Sequence, residues 1–136
     1  MLQDSCHPQI VRALQKAGWS IDREQVFVPT RTSRVFIDLR ASYKNEDEVL
    51  QIIIAEVKCF ADKDKRTTEL YTSVGQYLFY RRLLAVAQMN YPLYLAVPLQ
   101  AYQAVFDENV EAIVAENHVK MIIVDVEREE IVRWIE

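Results

Sequence analysis

The sequence predicts an α/β fold of the α+β kind, with helices packed on one mixed sheet. Apolar runs with strand-like alternation and longer stretches with helical spacing follow the order α-β-β-β-α-β-α-β-β. Hydrophobic residues make up 51% of the 136 residues and charged residues 26%, which is typical of a soluble domain with a sizeable core. No repeat or linker interrupts this order, so we expect a single domain over residues 1–136.

The first predicted element is a short helix over residues 8–17. Pro8 suits the first helical position, because its missing N–H would have no partner there in any case. Ile10 and Leu14 lie on one apolar stripe, and Gly18 is well placed to end the helix. These features indicate an amphipathic helix.

Three strand-like segments follow the helix. They cover residues 19–28, 34–40 and 50–59. In the second segment, apolar Ile37 and Leu39 are predicted to share one face and polar Asp38 to lie on the other. The third segment, LQIIIAEVKC, is the most apolar, which predicts a strand at the centre of the sheet.

A charged loop at residues 62–66 leads into a long helix predicted from about Thr67 to Gln88. Gly75 lies inside this helix, where glycine costs about 1 kcal/mol relative to alanine. We therefore expect the helix to pack closely on the sheet at Gly75. The remaining elements are a strand, a helix, a further short helix and two strands, at residues 93–97, 98–107, up to 116, 119–126 and 131–135.

Composition excludes several classes of protein. With only two glycines, Gly18 and Gly75, the chain has neither a P-loop nor a G-x-G-x-x-G dinucleotide turn. The formal net charge of −4 argues against a nucleic-acid coat protein, because phosphate binding depends largely on lysine and arginine. The acidic excess lies in residues 69–136, so a polyanion is expected to bind the N-terminal half.

Cysteine usage and hydropathy favour a cytoplasmic location. Cys6 and Cys59 are too few for a disulfide scaffold, and two cysteines with two scattered histidines make a structural zinc site improbable. We see no signal-peptide pattern and no apolar run of the length that a membrane span requires.

Two carboxylates and a lysine interrupt the predicted strands. Asp38 lies in an otherwise apolar strand, and Glu56 and Lys58 follow the apolar IIIA of the next strand. Because strand side chains alternate, Glu56 and Lys58 share a face, and hairpin pairing would bring Asp38 beside Glu56. Two such carboxylates suit Mg²⁺ or Mn²⁺, with the carbonyl of Val57 as a further ligand and Lys58 assisting a water, which is the chemistry of phosphodiester hydrolysis. The alternative is that the acids are edge or interface charges and that Lys58 simply pairs with them.

The pattern D-x17-E-x-K on consecutive strands resembles the PD-(D/E)xK nuclease superfamily, with Ile37 in place of the proline. On the long helix, Gln76 and Tyr80 form Q-x-x-x-Y and share a face. Superfamily nucleases of the RecB type use such a glutamine near the metal and such a tyrosine toward DNA. The resemblance implies catalytic roles for Asp38, Glu56, Lys58 and Gln76. For Tyr80, a place in the core or at an interface is the alternative.

A set of motifs along nearly the whole chain resembles the XisH family, the fdxN element excision controlling factors of cyanobacteria. The motifs are KAGW (16–19), FIDLRA (36–41), IAEVKCF (54–60), SVGQYLFYR (73–81), YLAVP (94–98) and IVRWIE (131–136). This resemblance implies a restriction-endonuclease-like fold and a role in excising a DNA element during heterocyst development. It also implies a XisI-like protein as partner.

Several residues near the predicted site could contact DNA. They are Arg31, Arg34, Arg40, Lys63, Lys65, Arg66 and Tyr80. Solvated surface charge is the alternative for the basic residues. Active nucleases of this fold often present a glutamate from the first helix, whereas this helix contains no acid. Asp4 and His7 are the candidates in its place, and an exposed or capping role is expected for His7.

Three functions are compatible with these patterns: a metal-dependent endonuclease, a non-catalytic accessory factor that retains the nuclease fold, and a binding module with a reused sheet face. The apolar, tyrosine-rich helix at residues 71–86 could supply the interface of a homo-oligomer.

Overall fold

The computed structural model describes residues 5–136, so Asp4 lies outside the described residues. The elements in chain order are α1 (His7–Lys16), β1 (Ser20–Pro29), β2 (Arg34–Lys44), β3 (Leu50–Val57), a 3₁₀ turn (Lys63–Lys65), α2 (Arg66–Val86), β4 (Leu93–Pro98), α3 (Leu99–Val105), α4 (Glu108–Glu116), β5 (Lys120–Asp125) and β6 (Glu130–Ile135).

The predicted mixed α/β class is confirmed. Two helices, α3 and α4, connect β4 to β5, in agreement with the helix predicted over residues 98–107 and the further short helix predicted up to residue 116, which the abbreviated order α-β-β-β-α-β-α-β-β counts as one. Phe106 leaves helical geometry (φ −95°, ψ 80°) and ends α3. The side chain of Asp107 then accepts a hydrogen bond from the Val110 N–H at 3.0 Å and caps the start of α4.

The six strands form one sheet whose spatial order follows the chain, from β1 to β6. The β1–β2–β3 meander and the β5–β6 pair are antiparallel, whereas β4 is parallel to both β3 and β5. The last residues of β3, β4 and β5 therefore lie at one end of the sheet, together with the first residues of β2 and β6. The opposite end holds the last residues of β2 and the first residues of β3 and β4.

Two apolar clusters cover the two faces of the sheet. Helix α1 packs Ile10 and Leu14 on one face, and α2 packs Tyr77 and Leu84 on the other. β4 is buried along its whole length, because its side chains alternate between the two clusters. Within the described residues, no helix is both long and apolar enough to cross a membrane.

The alternation predicted for β2 is wrong at Asp38. Ile37 packs in the α2-side cluster and Leu39 in the α1-side cluster, although a regular strand would put both on one face. The neighbouring strand is irregular at the same level, since Gln25 has a φ of 59° and falls between the pairs Glu24–Leu39 and Val26–Ile37. Asp38 thus occupies the point where β2 exchanges its two faces.

Candidate metal centre

Asp38 and Glu56 come together where the β2–β3 ladder ends. The last pair of the ladder joins Leu39 to Ala55, so Asp38 and Glu56 are the next two residues on the two strands. The Val57 N–H donates to Oδ2 of Asp38 at 2.7 Å, and the Asp38 N–H donates to Oε1 of Glu56 at 3.2 Å. Each carboxylate is therefore held by the backbone of the opposite strand, as the hairpin prediction requires.

Glu56 is a buried acid whose proton is strongly retained. Its side chain is 7% exposed. Burial, the charge of Asp38 and a side-chain hydrogen bond to Asp38 together raise the pKa of Glu56 to about 8, against the opposing effects of the Lys58 charge and the Asp38 backbone N–H. A bound cation would favour the ionised form of Glu56 and so lower this pKa.

Lys58 and Val57 lie immediately beside this pair. The Lys58 N–H donates to the Ala96 carbonyl at 3.0 Å, so strand geometry continues one residue beyond β3 and Lys58 faces the same side as Glu56. Within the described residues 5–136, Lys58 forms no ion pair of 4 Å or less with the carboxylate of Asp38 or of Glu56. Lys58 therefore makes no direct ion pair with either acid, although its charge acts on Glu56. The carbonyl of Val57 as a metal ligand stays a prediction.

Helix α2 brings two polar groups to the same face of the sheet. Burial raises the pKa of Tyr80, and the charges of Glu56 and Asp38 raise it further, which means that the phenol lies within electrostatic reach of both carboxylates. Gln76 is one turn earlier, and its Oε1 is buried with no hydrogen-bond partner. A buried, unpartnered amide oxygen is costly unless a further ligand uses it. Tyr80 also packs against the α2-side core, as the alternative interpretation predicts, whereas its role toward DNA stays a prediction.

We call Asp38, Glu56, Lys58, Gln76 and Tyr80 the carboxylate site. Among residues 5–136, no group of three or more histidine, cysteine or acidic residues is arranged to hold a metal. Mg²⁺ needs only one or two protein carboxylates because it keeps several waters. The two carboxylates meet this requirement, and the unpartnered amide oxygen of Gln76 is of the ligand type that such an ion prefers.

The basic residues predicted to contact DNA fall into two groups. Arg31, Arg34, Lys63 and Lys65 are exposed, and they belong to segments that begin β2 or follow β3, at the same end of the sheet as the carboxylates. The other group is engaged within the chain and consists of Arg40 and Arg66. Arg40 lies over the Tyr91 ring at 5.1 Å, and Nε of Arg66 donates to the Phe60 carbonyl at 3.3 Å.

Sequence reasoning missed a disulfide between Cys6 and Cys59, whose Cα atoms are 5.8 Å apart. It ties the residue before α1 to the residue after Lys58, and the Cys6 N–H also donates to Sγ of Cys59 at 3.0 Å. The presence of two cysteines was the only available signal, because 53 positions of sequence separate them. The bond therefore anchors the segment that carries Lys58 to the start of α1.

The role expected for His7 is wrong. The side chain is 3% exposed, and its Nε2 lies 2.9 Å from Oε1 of Glu24, on β1. The sequence carries no signal for Glu24, since a single acid in a polar strand has no distinguishing pattern.

The packing expected at Gly75 is also wrong. Gly75 is exposed, and a Cβ added there would meet nothing within 4 Å. Close approach of α2 to the sheet therefore does not explain this glycine.

Comparison with known proteins agrees with the arrangement of elements and with the motifs. The family model described as XisH protein matches residues 1–132. The crystal structure of an XisH family protein from Nostoc punctiforme PCC 73102 has 34% sequence identity and a TM-score of 0.85, covering 98% of this chain and 100% of that one. An fdxN element excision controlling factor protein from Anabaena variabilis has 32% identity, the same TM-score and the same coverage. No curated protein sequence matches the chain.

Proposed function

The chain belongs to the XisH family, and from this premise we propose that it controls excision of a DNA element during heterocyst differentiation. The similar Anabaena variabilis protein is described as an fdxN element excision controlling factor, which supports the proposal. Because DNA is the substrate of such excision, we propose that the protein acts in the cytoplasm. A XisI-like protein is the proposed partner, on the family resemblance alone.

We further propose that the carboxylate site is of the PD-(D/E)xK type, on a restriction-endonuclease-like fold, and supports metal-dependent phosphodiester hydrolysis. The observation that carries this proposal is the reciprocal clamp between two strands, in which each carboxylate receives a backbone N–H from the other strand. These two hydrogen bonds hold Oδ2 of Asp38 and Oε1 of Glu56 in place without using Lys58, which stays available for the reaction.

Each residue has a defined task in this chemistry. Asp38 and Glu56 would hold Mg²⁺ or Mn²⁺, with the Val57 carbonyl and Oε1 of Gln76 as further oxygen ligands. A divalent cation bound there supplies Lewis-acid stabilisation of the charge that develops on the phosphate. Lys58 donates hydrogen bonds that orient the attacking water or stabilise the same charge. Glu56 must lose its proton first, because only the carboxylate binds a cation well.

The exposed basic residues beside the site would contact the DNA backbone. Arg31 and Arg34 precede the catalytic part of β2, and Lys63 and Lys65 follow the ExK strand. Tyr80 would face the DNA from α2. Arg40 and Arg66 would first have to leave their present contacts, so we expect them to contribute less.

A non-catalytic accessory role is the second candidate. The net charge of −4 and the internal contacts of Arg40 and Arg66 leave few cations for a DNA surface, which favours action through protein contacts. A homo-oligomer through α2 stays a prediction. Its exposed Tyr71, Phe79 and Val86 identify an apolar surface without identifying what covers it.

Plasmid nicking with matched isosteric variants tests the proposal. Asp38→Asn and Glu56→Gln keep the side-chain shapes and remove the negative charges, so nicking of supercoiled DNA with Mg²⁺ or Mn²⁺ should fall by at least about 100-fold. Glu46→Gln, an exposed acid in the β2–β3 turn, is the matched control and should nick like the wild type.

Calorimetric titration with Mn²⁺ gives a second readout that does not depend on cleavage. We expect saturable binding to the wild type and to Glu46→Gln and none to Glu56→Gln. Equal nicking by the wild type and the three variants would contradict the enzymatic proposal. Metal binding without nicking, with co-purification of a XisI-like protein that survives both substitutions, would favour the accessory role.

A further inference from the structure

We propose that an aromatic cavity at the end of the sheet opposite to the carboxylate site binds an arginine side chain of a protein partner. The cavity measures about 750 Å³, and its lining includes Trp19, Tyr43, Tyr94, Trp134 and Glu136. We call the space that these five residues line the aromatic cavity. The inference does not depend on whether the carboxylate site cleaves DNA.

The rings form a continuous aromatic wall. The Trp19 ring centroid lies 5.4 Å from that of Tyr43 and 5.7 Å from that of Trp134, and Trp134 meets Tyr94 edge to face at 5.2 Å. The chain contains two tryptophans, and both belong to this wall. Aromatic faces attract cations, tryptophan most strongly, within about 6 Å of the ring centroid.

A carboxylate completes the cavity. The Tyr94 hydroxyl donates to Oε1 of Glu136 at 3.2 Å, which fixes one oxygen of the carboxylate beside the rings. Burial and, to a smaller extent, the charge of Glu136 and the hydrogen bond to it raise the pKa of Tyr94 to about 12, so the phenol stays a donor at neutral pH. The lining residues all belong to the part of the chain that the structure describes, and none of them is basic. Lys120 lies near the same end of the sheet but does not line the cavity.

This combination selects a cation and disfavours a nucleic acid. Aromatic walls can also stack nucleobases, but single-strand binding requires a positively charged groove for the phosphates. Here the charged group of the lining is Glu136, which would repel a phosphate. A planar guanidinium stacks on aromatic rings and pairs with a carboxylate through two hydrogen bonds, which is why we assign arginine rather than lysine.

The surroundings favour a peptide over a free small molecule. Val49, which lies two residues before the lining residue Gln51, is 54% exposed. An exposed apolar side chain this close along the chain to the lining suits a residue that flanks an arginine in a partner protein. The acidic excess of residues 69–136, five basic against ten acidic side chains, would attract a basic segment.

Tryptophan fluorescence tests the proposal directly, since both tryptophans line the cavity. The probe is the peptide N-acetyl-Leu-Arg-Leu amide, and its citrulline counterpart has the same shape without the charge. We expect saturable quenching by the arginine peptide, with an affinity about tenfold higher than that of the citrulline peptide. Glu136→Gln should abolish this preference, and the exposed Glu127→Gln should keep it.

Four outcomes would overturn the proposal. They are the absence of saturable quenching, equal affinity for both peptides, equal affinity for N-acetyl-arginine amide and the full peptide, and tighter binding of an oligo-dT probe. The third would identify a small-molecule cation site and the fourth a nucleic-acid site.

Discussion

The carboxylate site and the aromatic cavity depart in opposite ways from the usual rule that apolar groups are buried and charged groups exposed. The carboxylate site buries an acid, Glu56, among apolar residues of the α2 face. The aromatic cavity instead leaves Trp19 and Trp134 partly open at the other end of the sheet, on the α1 face. Each departure is unfavourable for folding alone, because a buried carboxyl group loses hydration and an exposed ring keeps its apolar surface in water. The two regions therefore differ in what would relieve them: a cation in one and an organic partner in the other.

The largest expected difference between the two ends comes from the disulfide. Cys6–Cys59 closes a long loop at the carboxylate end, so its removal should lower the free energy of unfolding by about 4 kcal/mol. Urea unfolding of the wild type with and without dithiothreitol measures this effect.

The Cys6→Ala/Cys59→Ala double variant is the control for the reductant itself and should be insensitive to it. Binding of the arginine peptide to the folded protein should be the same with and without reductant, because neither Cys6 nor Cys59 lines the aromatic cavity. A large loss of peptide binding on reduction would show that the two ends are coupled.

The next effect concerns pH and distinguishes Glu56 from Glu136. The folded protein keeps the Glu56 proton up to about pH 8, whereas the unfolded chain loses it near the ordinary value of 4.5. Between these values the folded state binds more protons, so this group makes the free energy of unfolding fall as pH rises, by up to about 1.4 kcal/mol per pH unit.

Urea unfolding at several pH values between the two limits checks this expectation. Glu56→Gln should remove that contribution and become more stable than the wild type at the alkaline limit, while Glu136→Gln should keep the wild-type dependence. Saturating Mg²⁺ should flatten the wild-type dependence, since a bound cation favours the ionised form. Parallel curves for wild type and Glu56→Gln would contradict the retained proton.

The smallest effect contrasts the two glycines, one near each region. Gly75→Ala on α2 should stabilise the protein by about 1 kcal/mol, because the position is helical and open. Gly18→Ala should destabilise it, since Gly18 has a φ of 98° and an added Cβ would lie 3.0 Å from the Tyr43 ring. Urea midpoints of the two variants measure both changes. Destabilisation by Gly75→Ala would mean that another surface covers this part of α2.

The polar residues of the carboxylate site could be found from the sequence because they violate a local pattern. An acid in RVFIDLR and an acid and a lysine after IIIA stand out against apolar neighbours, and strand periodicity then predicts which of them share a face. The exchange of faces at Asp38 could not be predicted, because it depends on the left-handed Gln25 in the adjacent strand. The burial of His7 could not be predicted for a similar reason, since Glu24 becomes its neighbour only after α1 packs on the sheet.

By itself, the sequence determined the mixed α/β class, most of the element order, the family motifs and the candidate metal ligands, because these follow from local periodicity and from residues close along the chain. Only the tertiary structure decided that Cys6 meets Cys59, that Gly75 is open, and that aromatic residues from both ends of the chain share one cavity. Trp19 and Trp134 are 115 positions apart, yet their rings lie 5.7 Å from each other. The physical reason is that sheet pairing and helix packing bring distant segments together, and no local pattern of side chains records which segments will meet.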